Sequence, residues 1–544
     1  MIKQHRYRIK QFKLYFGCAV CLTLLVLGYL FARHSAKYEK KHEGFEPAEG
    51  VPMAVEPKKV AFVGERIVHL DLKGAPPKVV YYKYLFPLLK QLGATGVLVE
   101  YEDMFPYSSE LQNITALNSY TIDDVKVIND LAKEHQLKVI PLVQTFGHLE
   151  FVLKLPSYKD YREVPEYPQV ICPTYEKTEK LIKEMIKQNI EAHPDSTYIH
   201  LGADEVYFLG VCDKCVRTMT TNSLDKNKLF ITYINNLAKF IKKTYPQFTV
   251  LIWDDQLRSI TPEVLKTDDF HQNVQPVVWK YTKDVFDDLG PSLWNSYRSA
   301  FTNLWIASAF KGASGSNEIV SYVTHYLQNH RSWMSVVAEY GTQFNFQGII
   351  ITGWQRYDHF AVLCELLPAG MPALAMCLRL LRGFDESPLS PPTEVARSLK
   401  CQQPYALIGP VFGTPKCTFP GGDVLENLIR FQQLRQEFEA IGDKSRFKGW
   451  LSEYNVKQCF SNPIYVESIM NSIGRIRDDV FELKLDLSES LGTIYDEFTV
   501  REWMDTYFVP FEDQLEILWK AKSKLLTTRV WNRRPLNGSN CDLN

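Results

Sequence analysis

From Arg66 onward the chain alternates two patterns. Short, nearly continuous apolar runs, each closing on polar or aromatic residues, recur as "IVHLDLKG", "GVLVEYED", "KVIPLVQTFGH", "YIHLGADE", "TVLIWDD", "PVVWKY", "LWIASAFKG" and "GIIITGW". Between most of them lie segments such as "TIDDVKVINDLAKEHQ" and "TEKLIKEMIKQNIEAH", where apolar positions fall at helical spacing and an acid sits near the start. A strand that is apolar on both sides belongs to a sheet covered on both faces, and alternation with helices implies that the sheet is parallel. Eight such units within roughly 300 residues predict an α/β fold, a closed (β/α)8 TIM barrel over residues 65–390. In that architecture chemistry gathers at the C-terminal ends of the strands.

The pattern changes at both ends of this unit. After about residue 390, "DESPLSPPTEVA" and "TPKCTFPGGD" predict an irregular linker over 391–424. A helical region follows over 425–544, where Ile473, Ile476, Val480, Leu483, Leu487, Leu491 and Ile494 step by threes and fours. That stripe suits either a helix packed on its own domain or the seam of a homodimeric coiled coil. At the other end, residues 1–13 carry five Lys or Arg and no acid, and residues 14–32 hold no charge. An uncharged stretch of that length is enough for a membrane-spanning helix, with the basic flank cytoplasmic. The expectation is a signal-anchor, a charged stem over 33–64, and a catalytic unit on the luminal side of a type II membrane protein of the secretory pathway. A cleaved signal and secretion is the alternative.

Composition adds little beyond exclusions. The 544 residues are 45% hydrophobic and balance 62 Lys+Arg against 63 Asp+Glu, so overall charge does not steer the chain to nucleic acid. Eleven cysteines are too few for a disulfide scaffold in a chain of this length. "VCDKC" places Cys212 and Cys215 in a single CxxC, which reads as a local disulfide or two reduced thiols more readily than as a metal site.

The strand ends carry the candidate chemistry. They offer His69, Asp71 and Lys73, then Glu100, Glu102 and Asp103, then His148 and Glu150. Beyond these come Asp204 and Glu205, Trp253 with Asp254 and Asp255, Trp279 and Tyr281, Lys311, and Trp354 with Arg356 and Asp358. Tryptophans at the same end of three strands, among many carboxylates, suit a sugar ring, whose C–H faces stack on indole while its hydroxyls seek polar partners. Asp204 and Glu205 are adjacent. In extended chain they point to opposite sides, unlike the facing carboxyls, about 5 Å apart, of an ordinary retaining glycosidase. One of the two is expected to have a raised pKa and deliver a proton, while its neighbour stays ionised and holds a substrate group. His200, just before this turn, suits a hydrogen-bonded core position.

"HLGADE", His200 to Glu205, resembles the signature of glycoside hydrolase family 20, the β-N-acetylhexosaminidases, and "VHLDLKGAPPK", "PLVQTFGHLEFVLK", "WDDQLR" and "ITGWQRYDHFAVLCELLPAG" extend the resemblance from about Arg66 to about Leu380. The resemblance implies exo-acting, retaining removal of terminal GlcNAc or GalNAc, with the sugar's own acetamido oxygen as nucleophile. It implies Glu205 as general acid and base, and Asp204 as the group that orients the acetamido. Trp253, Trp279 and Trp354 would wall the pocket, with Tyr281 a donor to the acetamido oxygen and His148 a neighbour tuning the acid. Asp358 and Glu365 are candidates for distal hydroxyls. Family members grip hydroxyls with an arginine on the first strand, and here His69, Asp71 or Lys73 must substitute. The mechanism requires neither metal nor organic cofactor. Two other readings stay open: a glycan-binding membrane protein without turnover, and a two-carboxylate glycosidase pairing Glu205 with Asp254 or Asp255.

Overall fold

The expected apolar runs become strands in the computed structural model, which describes residues 61–384, 392–442 and 444–536. Eight of them close a parallel barrel in the order β1, β10, β9, β8, β7, β6, β3, β2. They are β1 (Glu65–Asp71), β2 (Gly96–Glu100), β3 (Lys138–Leu142), β6 (Tyr198–His200), β7 (Thr249–Trp253), β8 (Val274–Trp279), β9 (Asn303–Lys311) and β10 (Asn345–Gly353). The sequence pattern does not foresee β4 (Arg162–Val164) and β5 (Tyr167–Ile171), an antiparallel hairpin inserted after β3.

Continuous apolar composition has the consequence it should. Alternate side chains of each strand point into the barrel or out toward the helices, so both sets must be apolar. The inner set includes Ile67, Leu98, Ile140, Leu251, Val277 and Ile350, all fully buried. The outer set, with Val68, Val97, Ile199, Val250 and Ile351, joins the larger core under the helices. The helix Ile122–Glu134 starts on a capping box: Thr121 Oγ1 accepts from the Asp124 N–H, and the Asp124 carboxylate accepts from the Thr121 N–H. That arrangement satisfies two donors that the first helical turn leaves open.

The seam between β3 and β6 is the narrowest, with only Leu142 and His200 in register. β6 is three residues long because the chain leaves the sheet directly after His200.

Beyond the barrel, helix Gly422–Gly442 begins three residues before the expected boundary. The long helix Pro463–Ile494 contains the whole predicted stripe, and each of its seven apolar residues is buried in the protein's own core. The stripe is therefore covered from within the chain and offers no seam to a second copy. Cys401 and Cys417 form a disulfide in the segment expected to be a linker, which also holds helix Thr393–Ser398. The expected membrane anchor at 14–32 and its flanks at 1–13 and 33–60 lie outside the described residues. Among the described residues no helix is long and apolar enough to cross a membrane.

Candidate active site

The chain that leaves β6 turns through backbone that few side chains adopt. Gly202, Ala203 and Glu205 have φ of 60°, 68° and 48°. Left-handed conformations at a non-glycine residue carry a cost that surrounding structure must offset. The offset is visible in two hydrogen bonds and one close approach. Asp255 Oδ2 accepts from the Glu205 N–H at 2.9 Å, and Trp253 N–H donates to the Gly202 carbonyl at 3.0 Å. On the opposite side Gly147 lies so close that a Cβ there would sit 2.0 Å from the Asp204 carbonyl oxygen.

This turn corrects one sequence-based expectation. Because the segment is not extended, Asp204 and Glu205 do not diverge. Both reach His148, whose Nε2 lies 3.1 Å from Glu205 Oε2 and 3.7 Å from Asp204 Oδ2. His148 itself has φ of 49° and meets Glu150 through Nδ1 at 3.7 Å.

Charge settles in the reverse of the expected order. Burial pushes the Asp204 carboxyl up to about 7, with Asp255, Glu100 and Glu205 adding to the rise and His148 opposing it. The hydrogen bond from His148 holds Glu205 below its ordinary value against the effect of its own burial. For His148, burial disfavours the imidazolium, but Asp204 and the bonds to Glu150 and Glu205 outweigh it and hold the ring well above its usual pKa. The physical reason is depth: the Asp204 side chain is 9% exposed, whereas Glu205 is 36% exposed and shares a proton donor directly.

These groups face a cavity of about 240 Å³ at the C-terminal mouth of the barrel. Trp253, Trp279, Tyr281 and Trp354 wall it, together with Lys73, His148, Arg356 and Tyr357. Trp279 stacks on Tyr281 with centroids 5.2 Å apart, and Trp253 and Trp354 are 5.9 Å apart. Trp253 is wholly buried at the top of the inner barrel core, so it supplies the floor. Asp204 Oδ1 and Trp253 Nε1 are buried without a hydrogen-bond partner among the described residues. Unpaired buried polar atoms are costly, and at a cavity wall they mark where a ligand's polar groups would be received.

Lys73 is the candidate from the first strand that lines the cavity. Its ammonium lies 3.2 Å from Asp71, 3.5 Å from Glu100 and 3.7 Å from Glu102. Those three charges outweigh burial and hold it well above the ordinary lysine range. It also sits 5.0 Å from the Trp354 ring centroid.

Four candidates fall elsewhere. Asp71 is turned inward, accepting from the Lys73 N–H at 3.0 Å and the Gln355 N–H at 2.7 Å, and is a brace for the cavity wall. Asp358 accepts from the N–H groups of Phe360 and Ala361, which closes a turn outside the cavity lining. Glu365 is buried beneath the wall, where it accepts from the Gly312 N–H at 2.9 Å, and burial pushes its carboxyl up to about 7. His69 is also internal, paired with Glu100 at 3.0 Å and packed edge-on against Trp354. His200 takes the expected core position, accepting from the Gly202 N–H at 3.0 Å, and burial pulls it down to about 3.

Arg356, named among the strand-end residues without an assigned role, lines the cavity directly, as does Tyr357, which was not singled out. Arg356 stood at the end of the last run, and its position there was the available signal. Glu502, which grips the Arg356 guanidinium from the C-terminal helices at 2.5 and 2.6 Å, had none, because 146 residues separate the two.

The family model described as the glycosyl hydrolase family 20 catalytic domain matches residues 84–295. Hexosaminidase D of Homo sapiens is 38% identical over 465 residues, covering 85% of this chain and 94% of its own. Hexosaminidase D of Bos taurus is 45% identical over 321 residues, covering 59% of this chain and 92% of its own. Among solved structures, the chitobiase of Flavobacterium johnsoniae aligns with 14% identity and a TM-score of 0.47, covering 86% of this chain and 73% of that one.

Proposed function

Since the chain belongs to glycosyl hydrolase family 20 and is a β-N-acetylhexosaminidase, we propose that it removes single terminal GlcNAc or GalNAc residues from non-reducing ends, with retention, by a substrate-assisted route. The acetamido carbonyl oxygen attacks the anomeric carbon while Glu205 gives a proton to the leaving oxygen, whose bond to that carbon breaks. Water, losing its proton to Glu205, then opens the bicyclic oxazolinium, so two inversions restore the β configuration.

The observation that carries this reading is that the carboxylates lining the cavity among the described residues are Asp204 and Glu205, side by side and not across the cavity from each other. Asp254, a partner for a two-carboxylate route, is locked by Arg258 at 2.6 and 2.9 Å and by Tyr297 at 3.0 Å. The unpartnered Asp204 Oδ1 is suited to accept from the acetamido N–H and to balance the positive charge that grows there. In the free protein His148 holds a proton and Asp204 is partly protonated near neutrality, and the positive charge that grows on the acetamido nitrogen favours the ionised Asp204, which releases its proton as the substrate is engaged. A sugar over the half-exposed Glu205 strips its water and pushes its carboxyl toward the protonated form the first step needs. Trp279, Tyr281 and Trp354 stack on the sugar, and Lys73 and Arg356 meet its outer hydroxyls.

The same proposal places the catalytic unit on the luminal side of a secretory membrane, anchored through residues 14–32. The disulfide Cys401–Cys417 and the exposed Asn113, which heads the N-glycosylation sequon Asn113-Ile114-Thr115, support an oxidising, glycosylating compartment. Protection of a C-terminal tag from protease in intact vesicles is the expected result, and a tag digested in unbroken vesicles would refute the placement.

Paired aryl β-GlcNAc, β-GalNAc and β-glucoside substrates test the chemistry. Turnover should require the acetamido group, and a 2-deoxy-2-fluoro glycosyl donor should leave no covalent adduct on the protein. Equal turnover of the glucoside, or an adduct on Glu205 or Asp255, would exclude the substrate-assisted route.

A further inference from the structure

The CxxC beyond the catalytic turn does not stand alone in three dimensions. Cys172, at the end of β5, brings its sulfur 3.4 Å from that of Cys212 and 3.6 Å from that of Cys215. Glu163 on β4 completes the group, with Oε2 3.1 Å from the Cys215 sulfur. One ligand atom from each of these residues lies within 4.8 Å of every other.

We propose that Glu163, Cys172, Cys212 and Cys215 form a structural zinc site that ties the catalytic loop to the β4–β5 hairpin. Zinc–sulfur bonds of about 2.3 Å in a tetrahedron set sulfurs about 3.8 Å apart and a carboxylate oxygen about 3.5 Å from each sulfur. The two sulfur–sulfur distances from Cys172, 3.4 and 3.6 Å, and the 3.1 Å from Glu163 to Cys215 approach those values, and every other pair lies within 4.8 Å. They exceed the roughly 2.05 Å of a disulfide, and a disulfide would leave the third cysteine over. Three soft thiolates with one carboxylate favour zinc over calcium or magnesium.

The surroundings are built to hold charge. Glu163 is 1% exposed, and its Oε1 accepts from the N–H groups of Val211 and Cys212 at 2.7 and 3.0 Å, which leaves Oε2 facing the sulfurs. The Thr174 hydroxyl lies 3.4 Å from the Cys172 sulfur and 3.3 Å from that of Cys215. The Cys215 N–H donates to the Cys212 sulfur, at the start of helix Asp213–Asn222. Such outer contacts orient ligands and stabilise thiolates. Cys172 and Cys215 are fully buried, so the site is closed, which suits a structural ion and not a catalytic one.

The consequence runs toward the chemistry. Residues 206–211 link Glu205 to Cys212, and Phe208 on that link stacks on Tyr167 of the hairpin at 5.4 Å. Zinc, displacing three thiol protons as it binds, anchors the far end of this link and limits how far Glu205 can drift.

Metal analysis of the full chain after dialysis against a weak chelator tests the proposal. About one zinc per chain is expected, with three thiols shielded from alkylation until zinc is stripped. Cobalt in place of zinc should give a thiolate charge-transfer band. Cys172→Ser and Cys215→Ser should lose the zinc, Glu163→Gln should hold it at least tenfold more weakly, and Cys377→Ala, in a separate buried position, should retain it. A folded, active wild-type chain that takes up no zinc and has all three thiols open to alkylation would overturn the proposal. So would a peptide map with Cys172 in a disulfide to Cys212 or Cys215.

Discussion

Asp204 and Glu205 are neighbours in the sequence and share almost nothing else, and their difference in depth assigns their work. Glu205→Gln keeps the shape and removes the proton, so kcat should fall by about 10²- to 10⁴-fold on a substrate with a poor leaving group. The loss should shrink on an activated aryl glycoside, whose leaving group needs less protonation. Asp204→Asn should instead weaken substrates in proportion to their need for the acetamido group. Steady-state kinetics on the two leaving groups separates the roles, and equal losses on both for Glu205→Gln would remove it as the acid. The strand-end residues that line the cavity were legible in the sequence because apolar runs end where the barrel opens. Which carboxyl holds the proton was not. That depends on His148, whose ring arrives from beyond the end of another strand and donates to one carboxylate, and on burial, which raises the other despite the same ring.

Strands proved readable and the loops between them did not, for the same physical reason. A strand buried on both faces must be apolar throughout, whereas a loop is held by contacts from distant chain, such as Gly147 against the Asp204 carbonyl. Gly147→Ala would press a methyl group into that carbonyl, and neither backbone can yield without moving the catalytic turn. We expect kcat/KM to fall about a hundredfold, as a displacement near 1 Å produces, at a stability cost of about 1–3 kcal/mol. Wild-type kinetics in that variant would show that the close approach is not needed. A second loop pair sets a pH dependence. His359, after β10, meets Glu102 and Asp103, after β2, each at 3.2 Å. Burial opposes the His359 charge, but these partners raise it to about 9, and burial raises Glu102 to about 7. Both bind a proton more tightly when folded. Their stabilisation is therefore complete below the unfolded values and lost as pH rises, from 4.5 to about 7 for Glu102 and from 6.5 to about 9 for His359. Thermal unfolding between pH 6 and 9 should show a loss on the order of 1–3 kcal/mol. His359→Gln should flatten that slope, and an equal slope in the variant would mean that other groups set it.

The whole chain places a helical unit against the barrel mouth, and their junction reaches the cavity wall. Arg356 donates to the Lys73 and Ala361 carbonyls at 2.9 Å each and to both oxygens of Glu502, which belongs to helix Glu497–Trp503. Tyr507 donates to the Leu363 carbonyl, and Tyr495 accepts from the Leu367 N–H at 3.2 Å, so the same helices hold the segment that follows β10. The helical stripe was legible as a buried face, but what it would brace was not, since nothing local marks Glu502. Glu502→Ala leaves a buried guanidinium short of its charged partner, which costs about 1.5–3 kcal/mol for a hydrogen-bonded charge. An exposed pair gives the contrast: Lys133 and Asp195 are 69% and 67% exposed, and Asp195→Asn should change nothing measurable. Because Arg356 lines the cavity, Glu502→Ala should lower Tm and also reduce kcat/KM several-fold. Glu502→Gln, which keeps one acceptor, should fall between. A Glu502→Ala chain with lowered Tm but unaltered kinetics would confine the helical unit to stability, whereas loss of both would make it part of how the cavity keeps its shape.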